Sequence, residues 1–309
     1  MYPAPIDTWK TSPRTFYWIL TIAVLALWLM PIALLINTAV KNDTQISAEQ
    51  GARFSAPCTM TALPSADGVG QQLVCDGFAL SADGLSKVLT SGEFWQSMLF
   101  SFIVVIPAVV VSVGLATLAG YILAKHKFRG RILIFGLFVA GNFVPFQVLT
   151  IPVLRLMQDI QVGGASPYGN PAALILFHAA FQTGFCVFFM RNFIAALPDE
   201  LIEAARMEGA NEFQIYFQVI VPLIRPALAA LGLLIFTFVW NDFYWSLVLN
   251  PGANKLAPAM LTNLANGQWK TLWNVMAAGS IIVALPPLLF FFFLQRQFVA
   301  GLTLGANKG

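Results

Sequence analysis

The residues with most to explain are the polar ones set inside long apolar runs: Asn142 and Gln147, His178 and Gln182, and Asn241 and Asp242. An Asp at the centre of a bilayer-spanning helix costs about 2.5 to 3.5 kcal/mol on the insertion scale, so each such residue needs a compensating purpose. His178 and Gln182 are four apart and share one helical face, and Phe238, Asn241, Asp242 and Trp245 form a stripe at spacings of three and four. Asn142 and Gln147 share no face of a straight helix, although Pro145 between them is able to bend one. Asp and Asn beside Phe and Trp suit a sugar: bidentate hydrogen bonds reach vicinal hydroxyls while aromatic faces take the C–H side of the ring. The alternative is that Trp240, Tyr244 and Trp245 form an interfacial aromatic belt and Asp242 pairs with a neighbouring helix.

These residues sit in a chain built for a membrane. Of its 309 residues 58% are hydrophobic and 10% charged, against about 25% charged in ordinary soluble domains. Uncharged runs of about 20 residues or more predict six spans, over about 16–37, 96–124, 132–154, 171–190, 226–249 and 273–295. The third run is interrupted by Pro145 and Pro152, and the second carries Ser112, Ala116 and Gly120, a small-residue stripe that permits close helix packing. The first run, preceded by Lys10 and Arg14, is longer than a signal-peptide core and is read as a retained helix. With six spans both termini share a side. Eleven of the 17 Lys and Arg fall there, including the cluster Lys125, Lys127, Arg129 and Arg131, so that side is expected to be cytoplasmic. Measured from helix edges, Asp242 then lies about 22 Å from the cytoplasmic end of its span and His178 about 10 Å from the outer end of its own. All six polar residues fall between midplane and outer interface, which argues for one cavity.

Two polar segments break the apolar pattern. Residues 41–93 form an outer loop that holds Cys58 and Cys75; outside the cytoplasm these two could close a disulfide worth about 3 kcal/mol in the chain-entropy model, or remain free thiols. The second is the cytoplasmic stretch 198–222. Pro198 ends what precedes it, Asp199 is suited to cap a first helix through Glu203, Ala204, Ala205 and Arg206, and Gly209 supplies a left-handed stop. Asn211 is suited to cap a second helix, Glu212 to Ile220, ending before Pro222. The result is a helix-turn-helix knob that either docks into a partner or lies on lipid headgroups.

That knob carries a resemblance. Glu203-Ala204-Ala205, three residues, Gly209-Ala210 and a later Pro222 resemble the EAA motif of permease subunits of ABC importers, with Glu208 where that family more often shows Asp. Val239-Trp240-Asn241-Asp242-Phe243 and the tail Gln297 to Gly309 resemble carbohydrate importers of the maltose and trehalose type. The resemblance implies an all-α integral membrane protein with the type I importer permease fold, in a bacterial inner membrane. It implies that Glu203, Ala204, Ala205, Glu208 and Gly209 couple to a separate ABC ATPase dimer. It further implies a second, non-identical permease chain, an extracytoplasmic substrate-binding protein, and a tail that reaches the ATPase. On this reading the chain is a non-catalytic subunit that takes a sugar, oligosaccharide or polyol, its substrate path lined by Asn142, Gln147, His178, Gln182, Phe238, Asn241, Asp242 and Trp245.

Other chemistry has less support. His126 and His178 are too isolated for a metal site, basic residues do not gather into a nucleic-acid patch, and no phosphate-binding Gly-x-x-x-x-Gly-Lys-Ser/Thr loop occurs, so ATP and Mg are expected on the partner ATPase. An importer for a non-carbohydrate solute remains an alternative. So does a secondary transporter with Asp242 and His178 as a proton-linked pair, although no internal repeat supports it. A membrane scaffold without transport would leave the polar residues without a purpose.

Overall fold

The structure, a computed structural model, describes residues 11–64, 71–161, 163–252, 254–266 and 271–306; Lys10 and Lys308 lie outside them. Two compact units are distinguished, Met1–Ser91 with Leu261–Ile282, and Gly92–Met260 with Val283–Gly309.

In the first unit, helix α1 (Thr11–Ala39) is apolar on every side, and large side chains from Phe16 to Ile32 are exposed, as in a helix that faces lipid or another chain. The segment after it is more ordered than its polar composition suggests. Helix α2 (Asp43–Ala48) is capped by the Asn42 side chain, and strands β1 (Cys58–Pro64) and β2 (Gln71–Phe78) form an antiparallel hairpin. A disulfide joins Cys58 to Cys75 across it, the Cα atoms 5.7 Å apart. Helix α3 (Asp83–Thr90) follows. The loop is organised around Lys41, whose Nζ is buried and donates to Glu49 Oε2 (2.8 Å), the Arg53 carbonyl (2.7 Å) and Ser55 Oγ. Gln45 joins the same cluster, donating to Glu49 Oε1 and accepting from the Cys58 N–H.

The second unit begins with α4 (Gly92–Lys125), which packs along α7 (Pro171–Ala195). Between them lie α5 (Arg131–Gly141) and, after a 3-10 turn at Phe146–Leu149, α6 (Thr150–Asp159). Ser112, Ala116 and Gly120 are all buried on α4. A Cβ at Gly120 would lie 3.0 Å from the Arg191 backbone nitrogen, so the small-residue stripe sets how closely the two helices approach.

Beyond α7 come α8 (Glu200–Met207), α9 (Glu212–Gln214), a π-helical segment Ile215–Ile220 and α10 (Val221–Leu223). Then follow α11 (Arg225–Trp240), α12 (Tyr244–Leu249), α13 (Ala257–Ala265) and α14 (Trp273–Ala306). Among the described residues four helices are long and apolar enough to cross a membrane, or up to six if each bent pair counts as one span.

Two expected spans depart from single helices. The 132–154 run breaks into α5 and the Phe146–Asp159 stretch, which meet at 90°; Pro145, lacking an N–H, cannot continue the ladder that ends at Gly141. The 226–249 run ends at Trp240 and restarts at Tyr244. Asn241 and Asp242 are weak helix formers whose side chains compete for backbone groups, and the break falls on them.

The same corner shows how a proline's defect is repaired. In α14 the Val283 carbonyl would ordinarily bond the N–H of residue 287, which is Pro287 and has none. The fully buried Trp240 supplies its Nε1–H instead, at 2.9 Å. Trp240 is therefore a core residue and not part of an interfacial belt.

The Lys41 cluster generates a pH prediction. Burial acts to raise the Glu49 carboxyl, but hydrogen bonds from Lys41, Ser55 and Gln45 with the Lys41 charge outweigh it and hold it below the ordinary carboxylate range. A depressed carboxylate contributes stability above its unfolded value and loses it as pH falls through the folded one. The protection factors of the 41–58 amides, exchange rates taken relative to the intrinsic rate at each pH, are therefore expected to be high at neutral pH and to fall as Glu49 protonates in acid. Lys41→Met, which removes the charged donor but leaves Glu49 its Gln45 and Ser55 partners, should lower that protection at neutral pH about tenfold.

Candidate functional site

Helix α7 supplies His178 and Gln182 one turn apart, with Phe177 and Phe181 beside them at the same spacing. Opposite stand Phe238 on α11 and the non-helical Asn241 and Asp242. With Phe146, Phe177, His178, Phe181, Tyr244 and residues of α14 these three enclose a cavity of about 810 Å³. A second cavity of about 610 Å³ adjoins it and is lined by Asn142, Gln147 and Gln182. Phe146, Phe181, Leu234 and Phe238 line both and so separate them. The polar residues thus fall into two sets, His178, Asn241 and Asp242 in one cavity and Asn142, Gln147 and Gln182 in the other. The turn after α5 is what brings Asn142 and Gln147 to the same cavity.

Their chemistry differs from residue to residue. Asp242 is engaged: Oδ1 accepts the Trp245 N–H (3.2 Å), Oδ2 accepts the Ser246 N–H (3.1 Å), and His178 Nε2 lies 3.3 Å from Oδ2. It satisfies otherwise orphaned N–H groups at the start of α12 while holding α7 to the break. Trp245 is also committed, 3% exposed and with its ring 3.9 Å from that of Phe177, inside a cluster with Leu174 and Leu249. Asn241, in contrast, is exposed, and so are Phe238 and Phe243. His178 Nδ1 and Gln182 Nε2 are buried without a hydrogen-bond partner among the described residues. Asn142 turns its amide back to the Phe138 carbonyl at 2.8 Å. The sequence reading missed Phe146, Phe177, Phe181, Phe243 and Tyr244 as lining residues; the repeat of Phe177 and Phe181 alongside His178 and Gln182 was the available signal.

The 198–222 knob forms a second site. Helix α8 ends in a Schellman motif: Gly209 has φ +85°, its N–H bonds the Arg206 carbonyl, and the Ala210 N–H bonds the Ala205 carbonyl. Asn211 and Gln214 then form a reciprocal capping box at the start of α9. Ile202 is the buried residue of α8, while Glu203, Ala204, Arg206, Met207 and Glu208 are exposed. Asp199 does not cap α8. Its own backbone is already helical, which turns its side chain away from the first N–H groups, and it takes Lys125 Nζ at 2.6 Å instead. That ammonium holds its carboxyl below the usual range. Nor does Pro222 end the second helix: it lies inside α10 after the π-helical turns, and the bend of 74° comes at Ile224.

Among the described residues no group of three or more His, Cys, Asp or Glu is placed to hold a metal ion.

Comparison with known proteins agrees with this architecture. Residues 116–303 match the family described as binding-protein-dependent transport system inner membrane component. The osmoprotective compounds uptake permease protein GgtD of Synechocystis sp. is 37% identical over 72% of this chain and 73% of its own length. The arabinooligosaccharides transport system permease protein AraQ of Halalkalibacterium halodurans is 33% identical over 78% and 84%. Among solved structures, a bacterial ABC transporter involved in import of the acidic polysaccharide alginate superposes with a TM-score of 0.74 at 21% identity, covering 96% of this chain and 100% of the other. Fold, spans and sequence therefore agree that the chain belongs to the binding-protein-dependent transport system inner membrane components, as a multi-pass transport subunit and not a catalytic one.

Proposed function

We propose that the chain is a permease subunit of an ATP-driven importer for a sugar, oligosaccharide or polyol. The observation that carries the reading is the cavity at the α11–α12 break, where aromatic faces surround a few polar groups that still have hydrogen bonds to make. The names of AraQ and GgtD support a carbohydrate or compatible-solute cargo. In this reading Asn241 binds hydroxyls, Phe238 and Phe243 take the ring faces, and His178 Nδ1 and Gln182 Nε2 are satisfied by substrate as it passes from one cavity to the other. Asp242 and Trp245 shape the cavity; they are not its free contacts.

Both termini and the knob are assigned to the cytoplasm by the distribution of Lys and Arg. A separate ABC ATPase dimer carrying ATP and Mg receives α8, so that Glu203, Ala204, Ala205, Glu208 and Gly209 form the contact. A soluble binding protein delivers substrate from outside, and a second, non-identical permease completes the pathway. ATP binding closes the ATPase dimer, moves α8 and opens the cavity outward; hydrolysis returns it inward.

In membranes holding the full complex, ATP hydrolysis should rise with one member of a sugar and polyol panel. Gly209→Pro, which cannot adopt positive φ, and Glu203→Ala should each reduce that stimulation at least about fivefold with the complex assembled. Full stimulation in both, or uptake without any ATPase, would discard the reading. For uptake itself, Asn241→Ala is expected to raise KM about tenfold, equivalent to about 1.4 kcal/mol of binding. Asp242→Ala should instead lower the yield of folded complex; equal yields with an unchanged KM for Asn241→Ala would remove these residues from their roles.

A further inference from the structure

Both ends of α8 are held by the end of α4 nearest to it. Lys125 Nζ donates to the Leu197 carbonyl and to Asp199, each at 2.6 Å, just ahead of α8. The Asp199 side chain is 76% exposed, so this bridge is weakly directional. The other end is held differently. Glu212, the first residue of α9, accepts Arg206 Nη2 (2.8 Å) and Nε (3.2 Å) on Oε1; on Oε2 it accepts the Tyr121 hydroxyl (3.0 Å) and meets His126 Nε2 (3.2 Å). Arg206 belongs to the last turn of α8, whereas Tyr121 is buried in α4 and His126 follows that helix directly. One carboxylate therefore bridges the two elements through side chains.

The bridge has somewhere to lead. Tyr121 adjoins Gly120, the point where α4 comes against the backbone of α7 at Met190 and Arg191. Helix α7 then continues from Met190 to Gln182 and His178, about 12 to 18 Å along its axis, where those two residues line the cavities. A lateral movement of α8 therefore has a route to the cavity through Glu212, α4 and α7.

We propose that Glu212 is a positioning residue that transmits displacement of α8 into α4 through Arg206 on one oxygen and Tyr121 with His126 on the other. The inference rests on the reading of α8 as the ATPase contact. Glu212 need not touch ATPase or substrate for this; it fixes the distance between two helices that must move together. Loss of the bridge leaves only the Lys125 contacts ahead of α8 to carry its movement into α4.

The test uses the assembled complex with its ATPase and binding protein in proteoliposomes, reading substrate imported per ATP hydrolysed, stimulation by loaded binding protein, and the ATPase retained on purification. Glu212→Ala should retain the ATPase but lower stimulation and import per ATP at least about fivefold. Tyr121→Phe, which removes one hydroxyl and keeps the ring, should lower both in the same direction, and the double variant should be no worse than Glu212→Ala alone. The proposal is overturned if Glu212→Ala keeps wild-type coupling, if the two effects multiply, or if Glu212→Ala sheds the ATPase, which would make Glu212 part of the docking surface. Should Glu212→Ala fail to assemble, Tyr121→Phe decides alone, wild-type coupling counting against the proposal. Glu203→Ala separates the two levels: uncoupling there with Glu212→Ala coupled sinks only the Glu212 link, whereas full coupling in both sinks the reading of α8.

Discussion

The carboxylate of Asp242 holds the cavity open by closing off the helix break. Two backbone N–H groups at the start of α12, which the interruption of α11 would otherwise leave unpaired, bond to it, and His178 reaches it from α7. Away from water each unpaired backbone group costs several kcal/mol, so a span can be interrupted only where something replaces its internal hydrogen bonds. Asp242 does so from within the interruption itself. Asn241 and Phe243 on either side line the cavity.

The repair of one defect by a neighbour recurs nearby. Pro287 deprives the Val283 carbonyl of its partner, and Trp240 provides one. The two corrections lie at the two ends of a short stretch, Trp240 to Ser246, which fixes α11 to α14 on one side and to α7 on the other. Polar function and apolar packing are thus supplied by neighbouring residues, and the motif Trp240-Asn241-Asp242 divides into a core anchor, a free amide and a structural carboxylate.

Much of the fold was legible because bilayer spans must be long, apolar and internally hydrogen-bonded. The runs near 16–37, 96–124, 171–190 and 273–295 each correspond to a long helix. Gly209 and Asn211 were readable for a different reason: a left-handed stop and a capping box need only local residues. The breaks were less legible, since whether Pro145 bends or ends a helix depends on what packs around it. Asp199 and Asp242 show the limit most clearly. Each is of a type suited to cap a helix. Asp199 is drawn off by Lys125, 74 residues away in sequence, while Asp242, singled out as a ligand contact, proves to be the cap. Which side chain has free hydrogen-bonding capacity depends on three-dimensional partners that spacing does not reveal: Trp245 lines the cavity while packed against Phe177, and Phe243, which also lines it, was missed.

The most direct test of a cavity that receives substrate at the helix break is the rate of maleimide labelling of an Asn241→Cys variant in an assembled, transporting complex. Background labelling should be low, since Cys58 and Cys75 are joined and Cys186 is buried. The account predicts that the thiol reacts readily and that the transported sugar slows the reaction several-fold, with a non-transported sugar having no effect. An equal rate with and without the transported sugar would place the substrate elsewhere and contradict the account.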